Sequence, residues 1–185
     1  MRVDFGPKSL VYPEPVLIIA TYNDDGTANA MNAAWGGVSD TNEIHICLSK
    51  HKTTNNILKR KEFTVSFADK EHIAACDYIG LVSGNEVPNK LEKANLHVVK
   101  ASKVDAPIIE ELPVAIECKL ISYDENTGHL YASIVNVSVD DSVLTNGKVD
   151  LDKYHPVIFD DFNHEYRLIA DKVADAFKVG MTIKG

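Results

Sequence analysis

At 185 residues, 45% hydrophobic and 25% charged, the chain has the size and balance of a single globular domain, residues 1–185, with a sizeable core. A formal charge of −8, with no basic run longer than Lys59-Arg60-Lys61, argues against nucleic acid or an anionic membrane as the main partner. No apolar run approaches the roughly 18 residues of a membrane span, and the start lacks the basic region and apolar core of a signal peptide, so a cytoplasmic protein is expected.

Residues 1–15 carry Pro7, Pro13 and Pro15 and read as an extended lead-in. Val16–Tyr22 is apolar and β-rich, a strand buried on both faces. The turn residues Asn23-Asp24-Asp25-Gly26 return the chain antiparallel into a strand at Thr27–Met31. Trp35–Val38 and Glu43–Ser49 continue the same sheet. Thr53–Arg60 predicts a short helix with Ile57 and Leu58 inward and Lys59, Arg60 and Lys61 at the end whose dipole favours cations. Phe63, Val65 and Phe67 alternate along a strand at Phe63–Ala68. Lys70–Ile79 predicts an amphipathic helix stopped by Gly80. A loop over residues 83–90, a helical turn at Leu91–Ala94 and a strand at Leu96–Ala101 follow.

Leu112–Tyr123 is a long strand in which Pro113 predicts an edge position or a late start. Asp124-Glu125-Asn126-Thr127-Gly128 turns it into a return strand at His129–Val139. Asp140–Asp152 is loop with a Thr-Asn-Gly-Lys turn, and Pro156–Phe159 is a last short strand. Tyr166–Val179 predicts a helix with Ala170, Val173, Ala174 and Phe177 as its buried stripe and Gly180 as its stop. Many short strands, few helices and frequent turns predict a mainly β fold, a closed or half-closed antiparallel barrel with helices packed outside. Strand–helix alternation and a GxGxxG fingerprint are both missing, so a Rossmann domain is not expected.

The stretch from Asn29 to Ile57 carries the functional pattern. Ala30, Ala33, Ala34, Gly36 and Gly37 surround the single Trp35, and small side chains leave room for a flat ring against the backbone. Ser49-Lys50-His51-Lys52-Thr53-Thr54 is a polar, cationic helix start of the kind that seats a phosphate. The same six residues also fit a solvated, well-capped helix start, and Trp35 also fits a core role. Cys47, Cys76 and Cys118 form no CxxC motif and read as buried, reduced thiols. His45 and Cys47 are too few for a metal, and His155 and His164 around Asp160-Asp161 match no ligand spacing, so no metal is expected.

The order of motifs resembles the flavin reductase-like proteins that bind FMN in a split β-barrel, and within them the flavoredoxin branch. The resemblance runs over nearly the whole chain. It rests on Pro15 with Leu17–Thr21, Asp25-Gly26, Asn29-Ala30, Met31–Gly37, Lys52-Thr53 with Asn56-Ile57, and Glu62-Phe63-Thr64-Val65. Farther on it rests on Cys76–Gly80, Val82-Ser83-Gly84 with Lys90, Glu117-Cys118, Gly128-His129, and Pro156–Phe159 with Tyr166. Thr127-Gly128-His129 stands where many relatives carry Gly-Asp-His, Phe159 where many carry Tyr, and Ser66 where many carry Asn.

The resemblance implies that Asn32, Ala33, Ala34 and Trp35 face the isoalloxazine. It places Ser49, Lys50, His51, Lys52, Thr53 and Thr54 around the phosphate. It also implies a homodimer with flavin near the interface and His129 close by, either as a catalytic residue or as an exposed bystander. The function then expected is an FMN-dependent oxidoreductase that takes hydride from NADH or NADPH and passes electrons to free flavin, a small acceptor or a redox partner protein. The alternative is a flavoredoxin-type electron carrier with bound FMN and no nicotinamide turnover; a flavin-storage module is a third reading.

Overall fold

The computed structural model describes residues 1–169 and 171–183. The first elements are β1 (Glu14–Pro15), β2 (Leu17–Tyr22), β3 (Ala28–Ala33), β4 (Gly36–Asp40), β5 (Glu43–Cys47), α1 (Lys52–Arg60) and β6 (Glu62–Phe67). Next come α2 (Ile73–Leu81), α3 (Lys90–Lys93), β7 (Val98–Lys100), β8 (Pro107–Ile109), β9 (Val114–Tyr123) and β10 (His129–Val139). The chain ends with β11 (Leu144–Thr145), β12 (Lys148–Val149), β13 (Val157–Asp160), β14 (Glu165–Leu168) and a 3₁₀ turn at Val179–Ile183.

Seven strands form one sheet in the order β3-β2-β6-β9-β10-β5-β4, with every neighbouring pair antiparallel. Its two edge strands, β3 and β4, follow one another in the chain and are joined only by Ala34 and Trp35, a link that spans at most about 11 Å. Laid flat, a sheet of this width would hold its edges on the order of 30 Å apart. The sheet therefore curls into a barrel left open along the β3–β4 seam.

The alternation of β2 shows how the core divides. Leu17 and Ile19 point into the barrel, where they meet Ile44, Ile46, Leu48, Phe63, Val65 and Leu130, with Ile57 of α1 closing one end. Val16, Ile18 and Ala20 point outward under a second layer that includes Cys76, Ile79, Leu91, Leu96 and Ile109. Both faces of β2 are buried, as its apolar run predicts. The helices α2 and α3 lie over the β2–β3 side of the sheet, while α1 also reaches β6 and β9. On β9 and β10, Ile121, Tyr131, Val135 and Val137 remain exposed.

Some expectations change, and one is narrowed. The predicted helix at Tyr166–Val179 is instead β14, which pairs Tyr166 with Phe159 and Val157 with Leu168. Residues 171–178 contain no helix, and Val173, Ala174 and Phe177 are exposed, so the apolar stripe has nothing to pack on; Ala170 lies outside the described residues. A periodic pattern without a packed face does not hold a short helix, and Gly180 sits within the 3₁₀ turn. Gly80 does not stop α2, which runs on to Leu81; a Cβ there would overlap the side chain of Asn32. Pro113 marks a late start, because β9 begins at Val114 and lies between β6 and β10 rather than at an edge. Finally, Pro107–Ile109 pairs with β7, a strand the local pattern does not announce. In the Asp140–Asp152 loop the predicted turn is a small hairpin, with Asn146 and Gly147 both at positive φ.

Candidate functional site

The junction between β5 and α1 is fixed by the neighbouring β9–β10 hairpin. Leu48 N donates to Gly128 O at 2.8 Å, and Tyr123 Oη donates to Leu48 O at 3.0 Å. The helix is then tied to the β2–β3 hairpin. Asn56 Nδ2 donates to Thr21 Oγ1 and Asn23 Oδ1, each at 3.0 Å, and Arg60 donates to the Asn23 carbonyl. Asn29 Nδ2 donates to Thr53 Oγ1 at 2.7 Å. His51 occupies the N-cap position without a side-chain capping bond, and no acidic residue lies in the first turn. The amides of Lys52, Thr53 and Thr54 have no carbonyl four residues back to bond within the helix, so the positive end of α1 stays open.

That end faces a cavity of about 450 Å³. One wall is Asn29, Met31 and Asn32 of β3; the second is Lys50–Thr53 with Asn55; the third is the Ile79–Asn85 segment with Lys90. The third wall is held by two lysines. Lys52 Nζ donates to Gly84 O at 3.0 Å. Lys90 Nζ donates to Ile79 O at 2.7 Å and Val82 O at 3.0 Å, satisfying carbonyls at the end of α2. Lys90 is 3% exposed, and among the described residues no carboxylate pairs with it. Burial, and next the charge of Lys52, pushes its ammonium pKa down to about 8.

A second cavity of about 240 Å³ adjoins the first and shares Met31, Asn32 and His51 with it. It is lined by Ala33, Ala34 and Trp35 at the β3–β4 link and by Cys47, Leu48 and Ser49 opposite. Trp35 is 52% exposed, so it is not a core residue of the single chain. Its carbonyl accepts from Cys47 N at 2.7 Å, which closes the link against β5.

The two cavities form one groove, and nine of the predicted residues line it: Asn32, Ala33, Ala34, Trp35, Ser49, Lys50, His51, Lys52 and Thr53. Thr54 does not. It is buried, and its hydroxyl donates to Ser49 O at 2.7 Å. His129 pairs across the ladder with Cys47 and is exposed, outside the residues that line the groove. Sequence reasoning passed over Asn29, Gly84 and Lys90. The available signal was Val82-Ser83-Gly84 with Lys90, a polar loop far from α1 in the chain that folds back beside it. Among the described residues no cluster of three or more His, Cys, Asp or Glu could hold a metal ion, and no helix is long and apolar enough to cross a membrane.

Comparison with known proteins follows the same lines. The chain is similar to the flavoredoxin of Desulfovibrio vulgaris (Miyazaki F), at 36% identity over 97% of this chain and 100% of that one, with a TM-score of 0.92. A flavoredoxin from Methanosarcina acetivorans shares the fold at 24% identity, covering 99% of each chain with a TM-score of 0.87. So does an FMN-binding domain of a flavin reductases-like enzyme from Shewanella baltica OS155, at 19% identity, 88% and 89% coverage and a TM-score of 0.79. The sequence pattern of the flavin reductase like domain matches residues 9–161. With its curled antiparallel sheet open along one seam, the chain belongs to the flavin reductase-like domain family and has that family's split β-barrel.

Proposed function

We propose that the chain binds FMN in this groove and works as an electron carrier of the flavoredoxin type. The observation that carries the reading is the continuity of a donor-rich cavity with a small-residue cavity, in a chain 36% identical to a flavoredoxin over almost its whole length. The first cavity is within the usual range for a ligand pocket, about 300–1,000 Å³. Its donors, the open amides of α1, the Thr53 hydroxyl and the ammonium groups of Lys50 and Lys52, fit a phosphate. The Ala33 and Ala34 side chains are short enough for a ring to reach the backbone beside them.

When bound, FMN supplies the redox chemistry by exchanging electrons at its ring. The chain's own residues bind, orient and shield. Lys52 and Lys90 hold the Ile79–Asn85 wall against the phosphate end, while Met31 presents apolar surface at the ring end. Trp35 leaves that end open to a partner, and the same opening supports a second reading, hydride acceptance from NADH or NADPH. His129, one ladder position beyond the groove, would meet such a co-substrate or a neighbouring subunit.

The carrier reading includes a homodimer. Ile121, Tyr131, Val135 and Val137 leave β9 and β10 with an apolar outer face that the chain itself does not cover, and a second copy would bury it.

The decisive experiment is the visible spectrum of protein purified without added cofactor, followed by anaerobic additions. A yellow protein that bleaches with dithionite and not with NADH or NADPH is the expected result. Bleaching by a nicotinamide would move the function to a reductase. A colourless protein that also fails to bind added FMN would overturn both readings.

A further inference from the structure

The chain contains a single Asn-Gly pair, Asn146-Gly147. The structure places it at the tip of the β11–β12 hairpin, apart from the residues that line the groove. Leu144 pairs with Val149 and Thr145 with Lys148, so these two residues alone make the turn. Both are exposed, with φ of 53° and 73°, the type I′ geometry of a two-residue hairpin.

Asparagine is a thermolabile residue, and a following glycine leaves the next backbone nitrogen unshielded. Gly147 N can bond to Asn146 Cγ, closing a five-membered succinimide ring, while the side-chain nitrogen leaves as ammonia and carries off the Gly147 amide proton. Water then opens the ring. Breaking the bond from Cγ to nitrogen gives aspartate; breaking the bond from the main-chain carbonyl gives isoaspartate, whose backbone runs through Cβ and Cγ. Ring closure needs Gly147 N and Asn146 Cβ on the same side of the Cα–C bond. The first central residue of a type I′ turn, the mirror image of type I, has ψ of about +30°, which sets the two atoms nearly opposite. The hairpin must open before the ring can close.

Few bonds keep it shut, and a ladder this short is marginal by itself. Thr145 Oγ1 donates to Asp150 Oδ2 at 2.6 Å, Lys153 Nζ donates to Leu144 O at 2.8 Å, and Asp150 N donates to Val143 O at 2.9 Å. We propose that Asn146 is a site of spontaneous deamidation whose rate is set by opening of this hairpin, and that the two products act differently on the structure. Aspartate keeps the turn, since Asp-Gly suits type I′ as Asn-Gly does. Isoaspartate lengthens the backbone of a two-residue turn, so Thr145 and Lys148 lose their register. The hairpin supplies Thr145, Lys148 and Val149 to one wall of a separate cavity of about 830 Å³, and isoaspartate unlatches that wall.

The test is ageing of the full chain at mildly alkaline pH, followed by mass spectrometry of the peptide that holds Asn146, where deamidation replaces NH2 by OH. Wild type should convert more slowly when folded than when unfolded in guanidinium chloride, by about tenfold or more. Thr145→Val removes the hydroxyl bond and should raise the folded rate about two- to tenfold, with the unfolded rate unchanged. Lys153→Met frees the Leu144 carbonyl and should act the same way, so it decides the matter if Thr145→Val fails to fold. Trypsin should cut the isoaspartate fraction after Lys148, while fresh wild type and Asn146→Asp resist. Absence of conversion at Asn146 in the unfolded chain would overturn the site. Equal folded and unfolded rates, or no acceleration in the variants, would overturn control by the hairpin. An isoaspartate fraction that resists trypsin like wild type would overturn the difference between the products.

Discussion

At the α1 end of the groove, Asn29 of β3 bonds to Thr53 of α1, and Lys52 and Lys90 bond to carbonyls of α2 and the loop after it, with Asn29, Thr53 and Lys90 buried. At the Trp35 end, consecutive small residues and a half-exposed indole leave the backbone bare. The first arrangement depends on residues distant in sequence arriving together, and any missing partner leaves a buried polar group unsatisfied. The second depends on side chains that are absent, so it tolerates change until something bulky is added. The contrast teaches that holding power and access are assigned to different ends of one groove.

Removing Lys90 attacks the bonded end at its most buried cation. Lys90→Met leaves the carbonyls of Ile79 and Val82 without a donor but also removes a charge that burial disfavours, so it should cost about 1–3 kcal/mol of stability. Urea unfolding measures it; an unchanged midpoint would mean that the wall does not need its lysine. Replacing Lys52 and Thr53 together with Ala should weaken FMN binding by about 2–4 kcal/mol with the fold intact. If that variant binds FMN like wild type, the phosphate seat is elsewhere.

Gly80 tests the joint between the two ends. Gly80→Ala puts a methyl into the Asn32 side chain, and the forced rearrangement should cost about 1–3 kcal/mol; adding Asn32→Ala should recover most of it.

Acidity offers a gentler probe. Lys90 titrates near 8 against an ordinary 10.5 because the folded chain disfavours its charge. The cofactor-free chain therefore gains stability as pH rises from about 8 toward 10.5, and carries the full penalty below 8. An anion in the cavity favours the charged form, so phosphate-dependent binding should be tightest below pH 8. It should weaken above that by up to about tenfold per pH unit, with riboflavin binding flat across the same range. The smallest effect belongs to the open end: Trp35→Ala should change stability by less than about 1 kcal/mol, while altering how fast bound flavin exchanges.

Much of the sheet was legible because β6 and β10 alternate with period two, while β2 is a short apolar run buried on both faces. The barrel was legible from the density of short strands and turns. What local pattern could not supply was partnership. The 166–179 segment has helical spacing, yet Tyr166 and Leu168 find strand partners in β13, and the stripe beyond them finds none. Gly80 reads as a stop until Asn32, from another element, is seen to occupy the space of its missing side chain. In the site, the Ser49–Thr53 run and the alanines were readable as consecutive residues. Asn29, Gly84 and Lys90 were not, since their roles exist only once the α2–α3 loop folds over β3. The difference between Thr53 and Thr54 is likewise invisible in sequence, being a matter of which acceptor or donor each meets.

The link through Ala34 and Trp35 has a further consequence, for the order of assembly. The β2–β3, β4–β5 and β9–β10 hairpins are local and can form early. The β5–β10 pairing joins Cys47 to His129 and must wait for a long loop of chain to close, the kind of non-local contact that slows folding. Until it forms, β4 has no fixed place and Trp35 faces no groove. The cofactor site is therefore among the last features to appear, and a flavin added during refolding would act as a late trap for the native state rather than as a nucleus for it.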